Sequence, residues 1–274
     1  MANRREFLAA IAAAAGIPRE VFADDWRHVA GRLETRFKEF DTHRQYTASR
    51  LPDNAYAAEI VSARELGQPM ATIDDFLNHR SPRYGRKPDI VLSGGNFEWT
   101  KEKGYSPDAL YMRNRNVQSD FRKSELYNGV LYTDAQGQLN ILPTQEFRRR
   151  IQNLHTDESH PVDALQVELL RSNGNNLSSN NPTADIWNPR HFICQGNGST
   201  YSVVILAADF TDQWVNWVAN SFNAEKVIAL RGGHGAQARD TIKTPSPPYF
   251  PNIQLPPVNA KEKLLINAIS IYHR

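Results

Sequence analysis

From residue 55 onward the apolar residues come in short runs separated by turn-forming clusters, whereas before residue 50 they fall at helical spacing. Tyr56 to Ala63 reads as a strand. Thr72 to Asn78 opens with an N-cap residue and an acidic first turn, which predicts a short helix. Asp89 to Ser93 is a compact apolar strand that runs directly into Gly94-Gly95. Val130 to Tyr132 and Leu139 to Leu142 flank Thr-Asp-Ala-Gln-Gly, so they predict a β-hairpin.

A second block starts at Ala164 to Leu170 and leads into a loop from Ser172 to Asn181 rich in Asn, Ser and Gly, a lid or an insertion. His191 to Cys194 and Tyr201 to Ala207 read as strands joined by the hairpin connection Gln195-Gly-Asn-Gly-Ser. Thr211 to Asn223 is the clearest helix, with Trp214, Trp217, Val218 and Phe222 on one apolar face. Lys226 to Leu230 is a strand ending at Arg231-Gly-Gly-His-Gly235. Strand, helix and strand in this order predict a βαβ unit with its two strands parallel in one sheet. A proline-rich connection from Thr244 to Pro257 leads to a last strand, Leu264 to Tyr272. The fold class expected is α+β, a mixed sheet with packed helices over residues 55–274.

The first fifty residues have two readings. Arg4-Arg5-Glu6-Phe7-Leu8 followed by an alanine-rich run resembles a twin-arginine export signal, which would make the protein exported. The only small-residue cleavage pattern, Ala12-Ala13-Ala14, lies inside the apolar run itself, so an uncleaved start in a cytoplasmic or virion protein is the rival. In that reading a helix stops at Gly16-Ile17-Pro18, and a second runs from about Arg19 to Phe40. Val21, Trp26, Val29, Leu33 and Phe37 would be its apolar positions. The pattern favours this short helical extension over residues 1–50, a docking arm for a protein partner or a second copy of the chain.

Composition narrows the classes. With 274 residues, 40% hydrophobic and 23% charged, the chain reads as an ordinary globular protein. The net charge of +2 gives no general attraction to nucleic acid, and no apolar stretch approaches the roughly 20 residues of a membrane-spanning helix. Cys194 is the only cysteine, so no internal disulfide can form; it reads as a buried structural thiol, since residues three apart on a strand, such as His191 and Cys194, face opposite ways. His155-Thr-Asp157-Glu158-Ser-His160 contains metal-ligand types at no standard spacing, so no metal or cofactor is expected. Arg148-Arg149-Arg150 reads as a charged helix face.

Five features in order then carry a resemblance. Ser93-Gly94-Gly95-Asn96-Phe97 follows a strand; Leu169 to Gly174 ends in a glycine; Pro189-Arg190-His191 opens a strand; Leu230-Arg231-Gly232-Gly233-His234-Gly235-Ala236 closes one; and Leu264-Leu-Ile-Asn-Ala-Ile is terminal. Together they resemble the phosphodiester glycosidase family, whose members show Asn-Gly-Gly-Phe-Phe at the first place and Leu-Asp-Gly-Gly-Gly-Ser-Ser at the fourth. This chain departs at Ser93 and Asn96, and Arg231 stands where the family has an Asp. The resemblance implies a divergent member acting on or binding a sugar phosphodiester or a surface glycan.

The chemistry of such a substrate explains the residues wanted. A glycosidic phosphodiester is an anion whose cleavage needs charge stabilisation at phosphate and an acid or base near the sugar carbon. Arg190 offers a fork of donors to a phosphate oxygen. His234 and Asp209 are the candidate proton carriers, since Arg231 stays protonated. Ser93, Gly94, Gly95, Asn96, Arg231, Gly232 and Gly233 are the candidate substrate-binding residues, the glycines through main-chain N–H groups. Trp99, Tyr105 and Trp187 are candidate stacking rings or ordinary core aromatics. The alternative is a non-catalytic glycan-binding or structural module of a larger assembly such as a phage tail or baseplate.

Overall fold

The computed structural model describes residues 26–41, 44–95, 97–100, 104–107, 109–123, 127–152, 160–177, 189–196, 198–206, 212–232, 238–244 and 264–274. Strands dominate them. In chain order they are β1 (Arg27–Ala30), β2 (Leu33–Asp41), β3 (Arg44–Pro52), β4 (Tyr56–Ser62), β5 (Ile90–Ser93), β6 (Phe97–Thr100), β7 (Gly104–Pro107), β8 (Tyr111–Arg113) and β9 (Asn116–Ser119). Then follow β10 (Gly129–Thr133), β11 (Leu139–Pro143), β12 (Asp163–Ser172), β13 (Asn175–Asn176), β14 (Pro189–Gly196), β15 (Ser199–Leu206), β16 (Lys226–Gly232), β17 (Ala238–Asp240) and β18 (Asn267–His273). Three α-helices accompany them among the described residues: α1 (Ile73–Asn78), α2 (Thr144–Gln152) and α3 (Asp212–Phe222).

The expected α+β class is overturned: this is a β-rich fold in which every strand pairing among the described residues is antiparallel. A large sheet runs β1-β2-β3-β15-β14-β16-β12-β10-β11, with β8, β9 and β13 beside β12, and a smaller one runs β17-β5-β18-β4. β15 and β16 do run in the same direction around α3, but β14 lies between them and pairs antiparallel with both. Its tight hairpin to β15 decides this, because a turn that short can only join antiparallel neighbours.

The helical extension is overturned too. Residues 27–52 form β1, β2 and β3, and β3 pairs with β15 along its whole length, from Ser199↔Pro52 to Leu206↔Gln45. The sequence spacing misleads here because four is an even number. Leu33 and Phe37 share a face on a strand of period two as readily as on a helix. Gly31, at φ 55°, makes the β1–β2 turn that breaks the supposed helix. The export-signal motif and the alanine-rich run fall in residues 1–25, outside the described residues.

Two layers of apolar packing follow from strand alternation. Between the sheets lie Leu33, Leu51, Ile60, Leu92, Leu165 and Ile269, with residues contributed by both. On the outer face of the large sheet Phe192, Cys194 and Val203 pack against Val215, Trp217, Val218 and Phe222 of α3, the face foreseen for that helix. α1 covers the outer face of the small sheet through Ile73 and Phe76, and α2 places Phe147 against Val130 and Tyr132. Thr72 caps α1 as expected, its hydroxyl accepting from the Asp75 N–H. Cys194 is buried and free, so its thiol is structural. No helix among the described residues is long and apolar enough to cross a membrane.

Candidate functional site

β5 ends at Ser93, and Gly94 and Gly95 turn away from it over the edge of the small sheet. Neither glycine has a left-handed φ. For Gly94 the requirement is close approach, since a Cβ there would fall inside the Asn267 carboxamide at the start of β18. The turn is docked there by two hydrogen bonds, Gly94 N to Asn267 O at 3.2 Å and Gly95 N to Asn267 Oδ1 at 2.8 Å. Both N–H groups are therefore occupied within the protein, and the turn shapes the edge by geometry rather than by free donors. Asn267 Nδ2 is buried there with no hydrogen-bond partner.

Ser93 joins this edge to the large sheet. Its Oγ lies 2.7 Å from His191 Nδ1 on β14, and His191 Nε2 lies 2.8 Å from Ser202 Oγ on β15. All three side chains are buried. Burial lowers the His191 pKa to about 3, so the ring is neutral near neutral pH. A neutral imidazole carries one N–H and one bare nitrogen, and two serine hydroxyls, each able to donate or accept, match it in either tautomer. His191 thus braces Ser93 and is not a proton carrier.

The second glycine segment arrives on the same strand. Gly232, the last residue of β16, pairs with Arg190 of β14, with a bulge between that pair and Phe192. Gly233, His234 and the rest of residues 233–237 lie outside the described residues, but both their flanks are fixed. Gly232 stands opposite Arg190, and Ala238 of β17 stands opposite Leu92, two residues before Gly94. Gly232 therefore ends on the large sheet and Ala238 begins on the small one.

Of the residues singled out in the sequence, Ser93, Gly94, Gly95, Arg190, Arg231 and Gly232 gather at this junction by backbone position. Alternation sends Arg190 and His191 to opposite faces: His191 into the interior between the sheets, half-buried Arg190 to the face that carries α3. Asn96, Asp209 and His234 lie outside the described residues, as does Trp187; the side chains of Arg231, Trp99 and Tyr105 do too. So does most of the His155–His160 segment. Among the described residues no group of three or more His, Cys, Asp or Glu is placed to hold a metal ion.

The sequence reading missed Asn267, His191 as a brace and Ser202. The available signal was a polar residue inside an otherwise apolar strand, Asn267 in Leu-Leu-Ile-Asn-Ala-Ile and Ser202 ahead of Val203. It also missed a second buried polar cluster. Arg113 on β8 holds Glu59 at 2.9 Å, Glu65 at 2.9 Å and Asp163 at 3.0 Å, and Arg83 holds Asp163 at 2.9 Å. Tyr272 donates to Glu59 at 2.6 Å. Three carboxylates share two guanidiniums, Arg113 touching all three, so this cluster ties β4, β8, β12 and β18 together.

With the geometry in place, comparison with solved structures assigns the fold. The chain is similar to the catalytic domain of zebrafish N-acetylglucosamine-1-phosphodiester alpha-N-acetylglucosaminidase, described as auto-inhibited by its pro-peptide. The match has a TM-score of 0.61 at 12% identity and covers 90% of this chain and 86% of that one. The fold is phosphodiester glycosidase-like. A hypothetical protein from Synechocystis is also similar, with a TM-score of 0.52 at 9% identity, covering 88% of this chain and 62% of that one. No family profile matches the sequence, and no curated protein matches it.

Proposed function

We propose that the protein hydrolyses a sugar phosphodiester, or a closely related glycoside, at the junction of β5, β14, β16 and β18. One observation carries this reading: the Ser93–His191 hydrogen bond and the Arg190↔Gly232 pairing bring both glycine segments to adjacent residues of one strand. The likeness of fold to an N-acetylglucosamine phosphodiester glycosidase supports it. In this reading Arg190 and Arg231 hold the phosphate oxygens across the ends of β14 and β16, Arg190 from the side that carries α3, where fixed cations lower the energy of charge developing on the leaving group. His234 moves the proton at the sugar carbon's oxygen, with Asp209 a further candidate catalytic residue. Gly94, Gly95, Asn96, Gly232 and Gly233 form the wall against which the sugar rests, and buried Ser93 braces it from behind through His191. The glycines there keep the wall close to its own backbone supports, as Gly94 does against Asn267.

The experiment is turnover of a chromogenic aryl N-acetylglucosaminyl phosphodiester. Hydrolysis by the wild type, lost in both Arg190→Ala and His234→Ala with unchanged melting temperature, supports the enzyme. A second reading, a glycan-binding module without turnover, is favoured by Arg231 at the position where the family has an Asp. It predicts no hydrolysis but retained binding of the same diester. Of the two N-terminal helices that would dock it onto a larger assembly, the second gives way to β1 and β2 of the large sheet, and the first lies outside the described residues.

A further inference from the structure

A cleft of about 590 Å³ opens beside the first turn of α2, apart from the junction just described. Its lining includes four cations, Arg122, Lys123, Arg148 and Arg149, against one carboxylate, Glu146. Among the described residues Lys123, Arg148 and Arg149 form no ion pair. This distribution is unlike the chain as a whole, whose charges nearly cancel. Like charges gathered in a cleft focus the field and attract an anion.

The three consecutive arginines of α2 are not one solvated face. Phe147 beside them is buried; Arg150 stacks on Tyr132, and its Nη1 donates to the Tyr132 hydroxyl at 3.0 Å. Arg148 lies over the Phe121 ring at 4.3 Å, which fixes its guanidinium at the cleft, and its Nε is shielded from water with no acceptor among the described residues. A sheltered donor without an acceptor is a cost that a bound oxyanion removes. Thr144 begins α2 within the same lining, so the positive end of the helix dipole adds to the field.

The cleft and the junction are connected by β12. Leu169 lines the cleft, and Leu165, on the same face of that strand, lies 3.6 Å from where a Cβ on Gly95 would stand. Four strand residues span about 13 Å. We infer that the cleft holds a second phosphate group of an oligomeric phosphosugar whose reacting diester lies at the Gly94–Gly95 edge. This rests on the reading of that edge as a sugar phosphodiester site, and it makes the substrate a chain of phosphate-linked sugars rather than a single capped sugar.

Calorimetric titration of the full chain tests this with five probes: a four-repeat poly(glycosyl 1-phosphate) oligomer, its one-repeat methyl diester, inorganic phosphate, a neutral oligosaccharide of equal length and a single-stranded oligonucleotide. The oligomer is expected to bind at least tenfold tighter than the one-repeat diester, with an advantage that shrinks as salt rises. Lys123→Glu with Arg149→Glu, both at exposed positions, should remove that advantage while leaving the one-repeat affinity and the melting temperature unchanged. An oligomer that binds no tighter than one repeat, or keeps its advantage in the double variant, overturns the inference. So does a neutral oligosaccharide or a single-stranded oligonucleotide that binds as tightly. If the one-repeat diester neither binds nor turns over, while inorganic phosphate and the oligomer still bind through Lys123 and Arg149, the junction reading fails and the cleft remains an anion site.

Discussion

His191 makes stability depend on pH in a window set by its burial. The ring is 1% exposed, with Ser93 Oγ at 2.7 Å and Ser202 Oγ at 2.8 Å as its partners. Desolvation lowers its pKa from the ordinary 6.5 to about 3. Between those values the unfolded chain binds a proton that the folded protein refuses, so stability is complete above pH 6.5 and is lost progressively as pH falls toward 3. Each pH unit within the window costs about 1.4 kcal/mol, so acidification from pH 6.5 to 4.5 removes about 2–3 kcal/mol through this one residue. Many carboxylates titrate over the same range, and His191→Gln separates them: glutamine retains a donor and an acceptor for the two serines but takes up no proton. Urea unfolding of both proteins from pH 7.5 to 4.5 should show the variant less stable at neutral pH, with the difference narrowing steadily below pH 6.5. A difference that stays constant across that range refutes a neutral, buried His191.

Three more outcomes follow from named contacts. Arg113→Ala strands Glu59, Glu65 and Asp163 around a missing cation and should destabilise the fold by about 3–5 kcal/mol in urea melts; a loss below 1 kcal/mol would mean that water or Arg83 replaces it. Gly94→Ala drives a Cβ into the Asn267 carboxamide and should cost about 1–3 kcal/mol, with diester turnover falling further than stability alone explains. Cys194, fully buried and with its thiol pKa pushed well up by desolvation, should react with an aromatic disulfide reagent only as fast as the protein unfolds. Prompt labelling under native conditions would show that α3 opens away from β14.

The strands past residue 55 are readable because each is apolar, short and bounded by turn chemistry. β4, β5, the β10–β11 hairpin, the β14–β15 hairpin, β16 and β18 all stand within a few residues of where the pattern puts them. What local pattern cannot supply is pairing. The direction of β15 relative to β16 follows the strand–helix–strand rule, yet β14, which precedes both, inserts between them and turns an expected parallel contact into two antiparallel ones. β1 to β3 fail for a different reason. Their apolar spacing satisfies two periods at once, and only the long pairing of β3 with β15 resolves it.

The candidate site divides along the same line. Ser93, Gly94, Gly95, Arg190 and Gly232 are legible one by one, because each sits where a strand ends and the chain must turn. Their common position is not legible, since it depends on a hydrogen bond between residues 98 apart and on a register between β14 and β16. Asn267 shows the point most sharply. In sequence it is one polar residue in an apolar strand, 172 positions from Gly95. In the fold its side-chain oxygen and its backbone carbonyl receive the two N–H groups that an anion site would have used. Gly94 therefore owes its missing side chain to Asn267, and with both N–H groups taken, affinity for a phosphate at this edge has to come from side chains. Under the proposed function, Arg190, Arg231 and His234, rather than the glycines, are therefore the residues whose substitution tests it.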